Sequence, residues 1–529
     1  MTGRRGMVTS AHPVASLAGL RTLMEGGNAI DAAVAVASCI GATEIGASGV
    51  GGVGWMLIYH AASGTLTTLD YQGWSPYATD RSRYRAPEDN YYGLLAAMVP
   101  GSAMGWCAAL ERFGTMARAD VFKHVIDICE QGFPLTVRNA QALTAAMGTP
   151  LFSYPSSRDF YFPDGCAPRP GQLHKQPDLA GTFRALAEDG PDVYYHGHLA
   201  DTIAGFCQEN GGLITKRDLA DMTVEWVEPL DIRYRDYTIY GPPPPSSAMQ
   251  WMQTLKMLES DDLVALGHNS ADYLHTLIEV ERLAIVDRMH YNVQPEAPIG
   301  ALLADDYCAA RRALVNPARA SKIVGERYAR TTEVGLRWHG SPLLRESTTH
   351  FDVVDAAGNA VACTQSLGGF GCGVVVPGTG IMLNNFMHWF DLDGDSPNMI
   401  GPHKKNEMCL SPGMIWRDGR LLSCIGTPGS YGIMETTPQF MINLLDFGMT
   451  VQAAIEAPRV RPQEMNRVIA EARIAPEVRT TLVERGHAVD VQPAWSALFG
   501  GAQGIVVDPD SGTFTGGADP RRDGYAVGW

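Results

Sequence analysis

The hydrophobic pattern of the chain changes at Thr348. Residues 295–345 are polar and irregular, whereas residues 350–355 and 360–367 predict two strands of a hairpin that turns at Gly358. Further elements are predicted beyond it, namely strands at 380–383, 413–417 and 421–425 and a helix at 438–446. Thr348 therefore stands at the junction between a loop and a strand.

The first three hundred residues alternate between helix and strand signals. Residues 14–24 predict a helix that ends at Gly26-Gly27, and Asn28 is placed to cap a second helix over residues 29–40. The other predicted elements are strands at 55–59, 66–71 and 231–240, a mostly helical stretch at 100–225 and an amphipathic helix at 269–290.

Composition excludes a disordered or collagen-like chain and disfavours a nucleic-acid-binding protein. The 529 residues are 45% hydrophobic and 19% charged, which is typical of a globular chain of two to four domains or of one large intertwined unit. The net charge of −16 disfavours nucleic acid as a partner.

Location is predicted from what the sequence lacks. No apolar stretch reaches the ~18 residues of a membrane span, and no signal peptide follows Met1. The ten cysteines are dispersed and form no Cys-x-x-Cys. These features predict a cytoplasmic protein with reduced thiols and no membrane partner.

Three motifs have ordinary explanations. Gly49 to Gly54 matches G-x-G-x-x-G, but a helix precedes it and a strand follows, which is the reverse of a dinucleotide site, so close backbone packing is favoured. His196 and His198 lack further ligands at zinc spacing. The prolines at 242–245 predict a rigid internal loop rather than a recognition peptide. We therefore expect neither a metal nor a cofactor.

Thr-Thr pairs also occur elsewhere in the chain, so the pair alone is not specific. The argument for Thr348 depends instead on the chemistry of threonine. A threonine hydroxyl is a weak nucleophile until a base takes its proton, and the α-amine of an N-terminal threonine can be that base. Its pKa of about 8 suits the task near neutral pH. Backbone cleavage must first expose it, and an internal threonine at the edge of a β-sandwich can attack the preceding carbonyl, here that of Ser347.

A turn rich in glycine and proline, residues 426–432, leads towards a predicted helix. Successive backbone N–H groups in such a turn can hold an oxyanion. Taken alone, the segment fits an ordinary tight turn better.

Taken together, these features resemble the gamma-glutamyltranspeptidase family of N-terminal-nucleophile hydrolases. The similar segments follow the family's order over nearly the whole chain, at residues 27–33, 49–54, 99–101, 211–219, 243–247, 348–355, 358–361, 383–385, 428–430, 457–459 and 518–522.

The resemblance implies an α+β fold, a four-layer αββα sandwich, and self-cleavage between Ser347 and Thr348. The products would be a large subunit, residues 1–347, and a small one, residues 348–529, intertwined in one globular heterodimer. Whether two heterodimers pair stays open. The implied catalytic groups are Thr348 as nucleophile, Thr364 and Ser366 as its supports, and the amides of Gly429 and Ser430 as the oxyanion hole.

The sequence departs from the family where a gamma-glutamyl group would bind. The family's arginine for the substrate carboxylate is replaced by Gln72, its asparagine after the hairpin by Gly368, and its glutamine and aspartate by Phe386 and Trp389. Met408-Cys409 takes the place of a serine pair. Because a buried zwitterion without ionic partners is costly, these changes predict a substrate other than a gamma-glutamyl compound.

The sequence thus favours a self-processing hydrolase or acyltransferase for a small-molecule amide or acyl compound with an apolar part. Two alternatives stay open. The same attack on a ketone-like carbonyl could break a carbon–carbon bond in an antibiotic pathway, and the chain could instead be an unprocessed, inactive binding homologue. Retention of Thr348, Thr364, Ser366 and the glycine turn argues against the second.

Overall fold

The hairpin after Thr348 forms the centre of a seven-stranded antiparallel sheet. A computed structural model describes residues 1–149, 152–294, 296–321, 348–392, 396–463 and 466–529. In it, Thr349–Asp355 pairs with Ala360–Ser366, with Thr349 opposite Gln365. In spatial order this sheet, called here the nucleophile sheet, comprises Tyr525–Gly528, Gly6–Ser10, Thr349–Asp355, Ala360–Ser366, Val53–His60, Thr65–Asp70 and Glu225–Val227.

A second antiparallel sheet of seven strands, called here the facing sheet, packs on the first. In spatial order it comprises Thr2–Gly3, Thr513–Ala518, Gln503–Asp508, Arg420–Gly426, Gly413–Arg417, Tyr237–Gly241 and Leu230–Tyr234. Small sheets also form, from Val375–Val376 with Ile381–Met382, from Val460–Pro462 with Arg467–Glu471 and Ala488–Gln492, and from Phe133–Pro134 with Leu173–His174.

Three apolar cores separate four layers. Between the sheets, Met7, Leu57 and Ala362 pack against Met414 and Ile505. Helices then cover the outer face of each sheet, as the larger clusters show. Alternate residues of a strand face opposite sides, so strands with buried patterns throughout, such as Ala360–Ser366, supply both cores at once. The result is the αββα sandwich that the resemblance predicted.

The helix Ala29–Thr43 lies on the outer face of the nucleophile sheet. Asn28 begins it through a capping box with Asp31, as the sequence predicts. Nearly every residue of this helix is buried, so it is apolar on all sides and belongs to the interior. On the outer face of the facing sheet lie Ala248–Leu258, Ala271–Tyr291 and Gly432–Leu445.

The remaining helices surround these layers. They are Pro13–Met24, Ser102–Phe113, Arg118–Gln131, Val137–Ala146, Pro155–Tyr161, Pro177–Asp189, Asp192–Tyr195, His198–Glu209, Lys216–Ala220, Leu263–Leu266, Ile299–Leu302, Asp305–Arg312, Val451–Glu456 and Pro476–Glu484. Short 3-10 turns occur at Ala61–Ser63, Arg81–Arg83, Pro87–Asn90, Leu94–Ala96, Phe386–Trp389 and Ala497–Phe499.

Two predicted elements differ from the structure. The single strand expected at 231–240 is a hairpin, because Arg235 adopts φ +54° and turns the chain. The helix expected to begin at Pro438 begins at Gly432 and contains that proline. The glycine run does pack closely, since a Cβ on Gly51 would lie 2.1 Å from the carbonyl oxygen of Met382.

Candidate active site

Thr348 sits at the start of the central strand of the nucleophile sheet, 2% exposed. Its backbone N–H donates to the carbonyl of Ala47 (3.2 Å), and its carbonyl accepts from the Arg522 guanidinium (2.7 Å). Arg522 in turn pairs with Glu44 at 3.0 Å. The segment that follows the helix Ala29–Thr43 and the C-terminal segment with Arg522 therefore hold the backbone of Thr348 on both sides of its Cα.

The backbone at Thr348 is strained. Its φ of +80° lies in the left-handed region, where a β-branched residue is an outlier. Such conformations cost about 1–3 kcal/mol and persist only where the surroundings enforce them. The predicted cleavage partner, Ser347, lies outside the described residues.

Ser366 is the hydroxyl that contacts the candidate nucleophile. The Oγ1 of Thr348 donates to the Oγ of Ser366 at 2.9 Å. That oxygen also accepts from the backbone N–H of Gly368 at 2.8 Å. The serine that replaces the family's threonine thus orients Thr348 and ties it to residue 368.

Thr364 does not touch Thr348. Its hydroxyl bonds to Nδ1 of His350 (2.8 Å), and Nε2 of His350 faces Asp352 at 3.1 Å. The connectivity resembles that of a hydrolase triad, but all three side chains are buried and their polar atoms bond to one another, and none of them contacts Thr348 in the described structure. They join the two sheets instead, since a Cβ on Gly426 would lie 2.4 Å from the His350 ring.

The turn that follows Gly426 has the backbone of an anion-binding loop. Gly429 and Ser430 have φ of +132° and +58°, and both are partly exposed to solvent. Successive backbone N–H groups in a turn can form a concave surface that binds anions. No described hydrogen bond uses the N–H of Gly429 or Ser430 as donor.

This turn is connected to Thr348 by packing. A Cβ on Gly429 would lie 3.2 Å from Gly500, and one on Gly501 would lie 2.4 Å from the Arg522 side chain. The hydroxyl of Thr427 also accepts from the Gly501 N–H at 3.0 Å. Arg522 thus contacts both the loop beneath the turn and the carbonyl of Thr348.

Arg461 connects the helix that follows the turn to the segment around Leu498. Its Nε donates to Glu435, in the first turn of the helix Gly432–Leu445, at 2.5 Å. Its Nη1 donates to the carbonyl of Leu498 at 2.5 Å. A Cβ on Gly432 would lie 2.6 Å from the guanidinium carbon. Burial raises the pKa of Glu435, with Arg461 opposing that shift.

Of the residues predicted to replace the glutamyl-binding groups, Gln72, Phe386 and Trp389 are connected through Asn406 and by ring stacking. Nε2 of Gln72 donates to both oxygens of Asn406, at 2.8 Å and 2.7 Å. Asn406 donates to the carbonyl of Phe386 at 2.6 Å. The Phe386 and Trp389 rings stack with centroids 6.4 Å apart, and Trp389 lies 4.7 Å from Tyr431. This aromatic row therefore ends beside Ser430.

A buried ion pair borders the same row. The Arg288 guanidinium lies 4.4 Å above the Tyr431 ring and pairs with Glu407. Met408 and Cys409 follow Glu407 and are 0% and 1% exposed. Burial raises the pKa of the Cys409 thiol to about 12, which keeps it protonated and unreactive at neutral pH.

Sequence reasoning found part of this arrangement. The structure brings Thr348, Ser366 and Gly368 together, and separately Phe386 and Trp389. The sequence assigned no role to Arg288, Arg461 and Asn406, which carry no motif. It also assigned none to Asn385 and Tyr431, although they lie in segments 383–385 and 426–432 that it singled out. Arg522 belongs to a segment similar to the family, but only the contact with Thr348 gives it a role.

Among the described residues, no group of three or more His, Cys, Asp or Glu side chains is placed to hold a metal. Within the same residues, no helix combines the length and apolar character needed to cross a bilayer.

The αββα fold is that of the N-terminal-nucleophile hydrolases, and comparisons with known proteins assign the family. A sequence profile described as Gamma-glutamyltranspeptidase matches residues 15–529. The chain is 36% identical to the acylase ACY 1 proenzyme of Pseudomonas sp. (strain SE83), covering 99% of this chain and 94% of that protein. It is 33% identical to the glutathione hydrolase proenzyme of Escherichia coli (strain K12), covering 98% and 90%.

Solved structures agree. The cephalosporin acylase from Bacillus halodurans superposes with a TM-score of 0.91 at 30% identity, covering 100% of this chain and 96% of that one. The chain belongs to the gamma-glutamyltranspeptidase family and is an enzyme of the hydrolase and acyltransferase class.

Proposed function

We propose that the chain cleaves itself between Ser347 and Thr348 and then acts through the new N-terminal threonine on a non-glutamyl, partly apolar amide or acyl compound. The observation that carries the proposal is the setting of Thr348, with φ +80°, its hydroxyl on Ser366 and its carbonyl on Arg522. The names of the relatives, which are proenzymes, support the cleavage.

In the self-cleavage step, the Thr348 hydroxyl attacks the Ser347 carbonyl and the peptide bond becomes an ester. Water then hydrolyses the ester, which releases residues 1–347 and leaves a free α-amine on Thr348. The strained backbone favours this step, because cleavage removes the constraint on φ. The amine replaces the N–H that faces the carbonyl of Ala47.

In the catalytic cycle, the α-amine takes the hydroxyl proton and Oγ1 attacks the substrate carbonyl carbon. The N–H groups of Gly429 and Ser430 stabilise the oxyanion, and each such donor contributes roughly 2.7–4 kcal/mol in comparable enzymes. The leaving amine departs with a proton from the ammonium, and water or an acceptor amine releases the acyl group.

The substrate class follows from the buried set around Gln72. No charged side chain stands at the positions that grip a gamma-glutamyl group in the family, and the aromatic row of Phe386, Trp389 and Tyr431 lies beside the oxyanion turn. Apolar and aromatic acyl groups gain binding energy against such rings. An α-ammonium with an α-carboxylate would lose hydration there without compensation.

Intact mass after expression tests the processing. Two fragments of 347 and 182 residues are expected from the 529-residue chain, and Thr348→Ala should yield one uncut chain without activity. Thr349→Ala is the matched control, because Thr349 is equally buried and its hydroxyl makes no described hydrogen bond. An uncut chain even after long incubation would support the binding-protein alternative instead.

Substrate preference has its own test. Release of p-nitroaniline from phenylacetyl p-nitroanilide should exceed release from gamma-glutamyl p-nitroanilide in kcat/KM. Efficient turnover of the glutamyl compound alone would contradict the argument from the aromatic row while leaving self-cleavage intact.

A further inference from the structure

Asn385 occupies the space that a side chain on residue 368 would fill. A Cβ added to Gly368 would lie 1.7 Å from Oδ1 of Asn385. The N–H of Gly368 bonds to Ser366, which in turn accepts from Thr348. The Asn385 carboxamide therefore lies against the backbone segment that holds the nucleophile.

The Oδ1 atom of Asn385 makes no described hydrogen bond that would stabilise the fold. Asn385 is 0% exposed, and its Nδ2 donates to the carbonyl of Tyr91 at 3.3 Å, which orients the group. Its Oδ1 accepts no hydrogen bond from any part of the chain that the structure describes. A buried acceptor without a donor destabilises the folded state, so a role in the fold does not account for this oxygen.

The preceding residue shows the contrast. Asn384 is equally buried, yet its Oδ1 accepts from Met98 and Phe386, and its Nδ2 donates to the carbonyls of Gly51 and Met98. Asn384 is thus fully bonded within the protein. Two adjacent asparagines therefore have different roles, one structural and one with an acceptor left over beside the nucleophile.

The surroundings indicate what the acceptor could bind. Asn385 begins the 3-10 turn Phe386–Trp389, which carries the aromatic row. No described ion pair includes a side chain of this turn. A neutral acceptor next to aromatic rings suits a neutral donor, a hydroxyl or an amide N–H, on an otherwise apolar acyl group.

We propose that Oδ1 of Asn385 accepts a hydrogen bond from a hydroxyl or amide N–H on the acyl part of the substrate, close to the reacting carbonyl. Asn385 is then a specificity-determining residue. This inference rests on the proposed function and narrows its substrate class. An analogue without the donor leaves Oδ1 unpaired, so the site discriminates against it.

The probes are four p-nitroanilides, those of phenyllactic acid and of β-hydroxy-β-phenylpropionic acid, and the O-methyl ether of each. The ether lacks the O–H donor and carries an added methyl group, and the comparison with Asn385→Ala separates the loss of the donor from the added bulk. The two acids place the hydroxyl on the α or the β carbon. Wild-type protein should prefer one hydroxyl compound over its ether by about tenfold or more in kcat/KM. In Asn385→Ala, that ratio should fall towards one.

Two variants serve as controls. Asn385→Asp keeps an acceptor oxygen and should keep the preference for the hydroxyl compound. Asn384→Ala should lower the melting temperature. In the protein that remains folded, the ratio of kcat/KM for the hydroxyl compound to that for its ether should be unchanged. Intact mass confirms self-cleavage in every variant, so a failure of the proposed function shows as an uncut chain.

A processed wild-type protein that shows no preference in either pair, or that turns over none of the four compounds, overturns the inference. An undiminished ratio in Asn385→Ala does the same, because the donor would then be recognised elsewhere.

Discussion

Two residues in the candidate site adopt left-handed backbone conformations that usually require glycine. Thr348 has φ +80° and Ser430 has φ +58°. An L-residue there costs roughly 1–2 kcal/mol relative to glycine. At Thr348 the strain stands where cleavage is proposed, whereas at Ser430 it shapes the turn that presents two N–H groups. Both strained positions therefore lie in the proposed site.

Ser430→Gly should retain self-cleavage and activity, since the oxyanion donor is a backbone N–H. Relief of strain is partly offset by the larger entropy of glycine in the unfolded chain, so the free energy of unfolding should rise by up to about 1 kcal/mol. Asp418→Gly, in an exposed turn at φ +52°, is the matched control. Loss of activity in Ser430→Gly alone would assign a role to the serine side chain.

Gly368→Ala should destabilise the protein more than Gly378→Ala. Both glycines have similar φ, +77° and +72°, so both alanines carry the same backbone strain. Only at 368 does the new Cβ collide with a side chain, that of Asn385, whereas nothing lies within 4 Å at 378. Overpacking adds about 1–3 kcal/mol. Denaturant titration of both variants measures the difference, and equal destabilisation would refute the close contact.

Some site residues could be predicted from sequence and others could not. Thr348, Gly429 and Ser430 carry recognisable chemistry or backbone requirements. Asn385 and Tyr431 lie in segments that the sequence singled out, and Arg461 does not, but none of the three had a predictable role. An asparagine, arginine or tyrosine gains its contacts only from neighbours that the fold brings from distant segments.

At the scale of elements, the turn 426–432 depends on Arg461. This side chain connects the helix Gly432–Leu445, through Glu435, to the carbonyl of Leu498 in the loop beneath the turn. The turn makes few described hydrogen bonds within itself. Its shape therefore depends on the helix Gly432–Leu445 and on the segment that contains Leu498.

Arg461→Gln should lower kcat by roughly tenfold or more with little change in KM, because a displaced N–H weakens transition-state binding specifically. Arg420→Gln is the control, since Arg420 begins the strand that leads to the turn but its guanidinium bonds at the exposed surface, to Asp510 and to the carbonyl of Pro509. A rise in KM at constant kcat in Arg461→Gln would instead place Arg461 in substrate binding.

The elements that the sequence predicts well have strong local signals. The hairpin after Thr348 consists of two strand-like runs around a Gly-Asn turn, and Asn28 caps its helix. The strands Gln503–Asp508, Thr513–Ala518 and Tyr525–Gly528 were not predicted. They are rich in glycine and short, as Gly516 and Gly517 show, and the fold places them because neighbouring strands complete their hydrogen bonds.

At the scale of the whole molecule, the two proposed fragments share both sheets. In the nucleophile sheet, Gly6–Ser10 lies between Tyr525–Gly528 and Thr349–Asp355. In the facing sheet, Tyr237–Gly241 pairs with Gly413–Arg417. Strands before and after residue 347 therefore hydrogen-bond to one another in both sheets, and neither fragment retains a complete sheet alone.

The fragments should consequently remain together after cleavage. Size-exclusion chromatography under native conditions should elute both in one peak, and only denaturant should separate them. Elution of a free 182-residue fragment from native protein would contradict the shared sheets.

Acid stability depends on buried histidines. His174 lies among Phe133, Phe160 and Tyr161, and burial lowers its pKa from 6.5 to about 4. The folded state holds it neutral while the unfolded chain takes up a proton below pH 6.5. The free energy of unfolding is therefore lost as pH falls from about 6.5 to 4, by up to ~3 kcal/mol from this residue.

His174→Leu should flatten the fall in stability over this pH window, measured by denaturant titration at successive pH values. His196→Gln, at an exposed position, should leave the slope unchanged. An identical slope in His174→Leu would show that His174 does not contribute to acid sensitivity.

The most direct measurement is the N-terminal sequence of the smaller chain in freshly purified, active protein. The account predicts Thr-Thr-His-Phe-Asp, beginning at Thr348. Sustained turnover by material whose only N-terminus is that of the original translation product would contradict it.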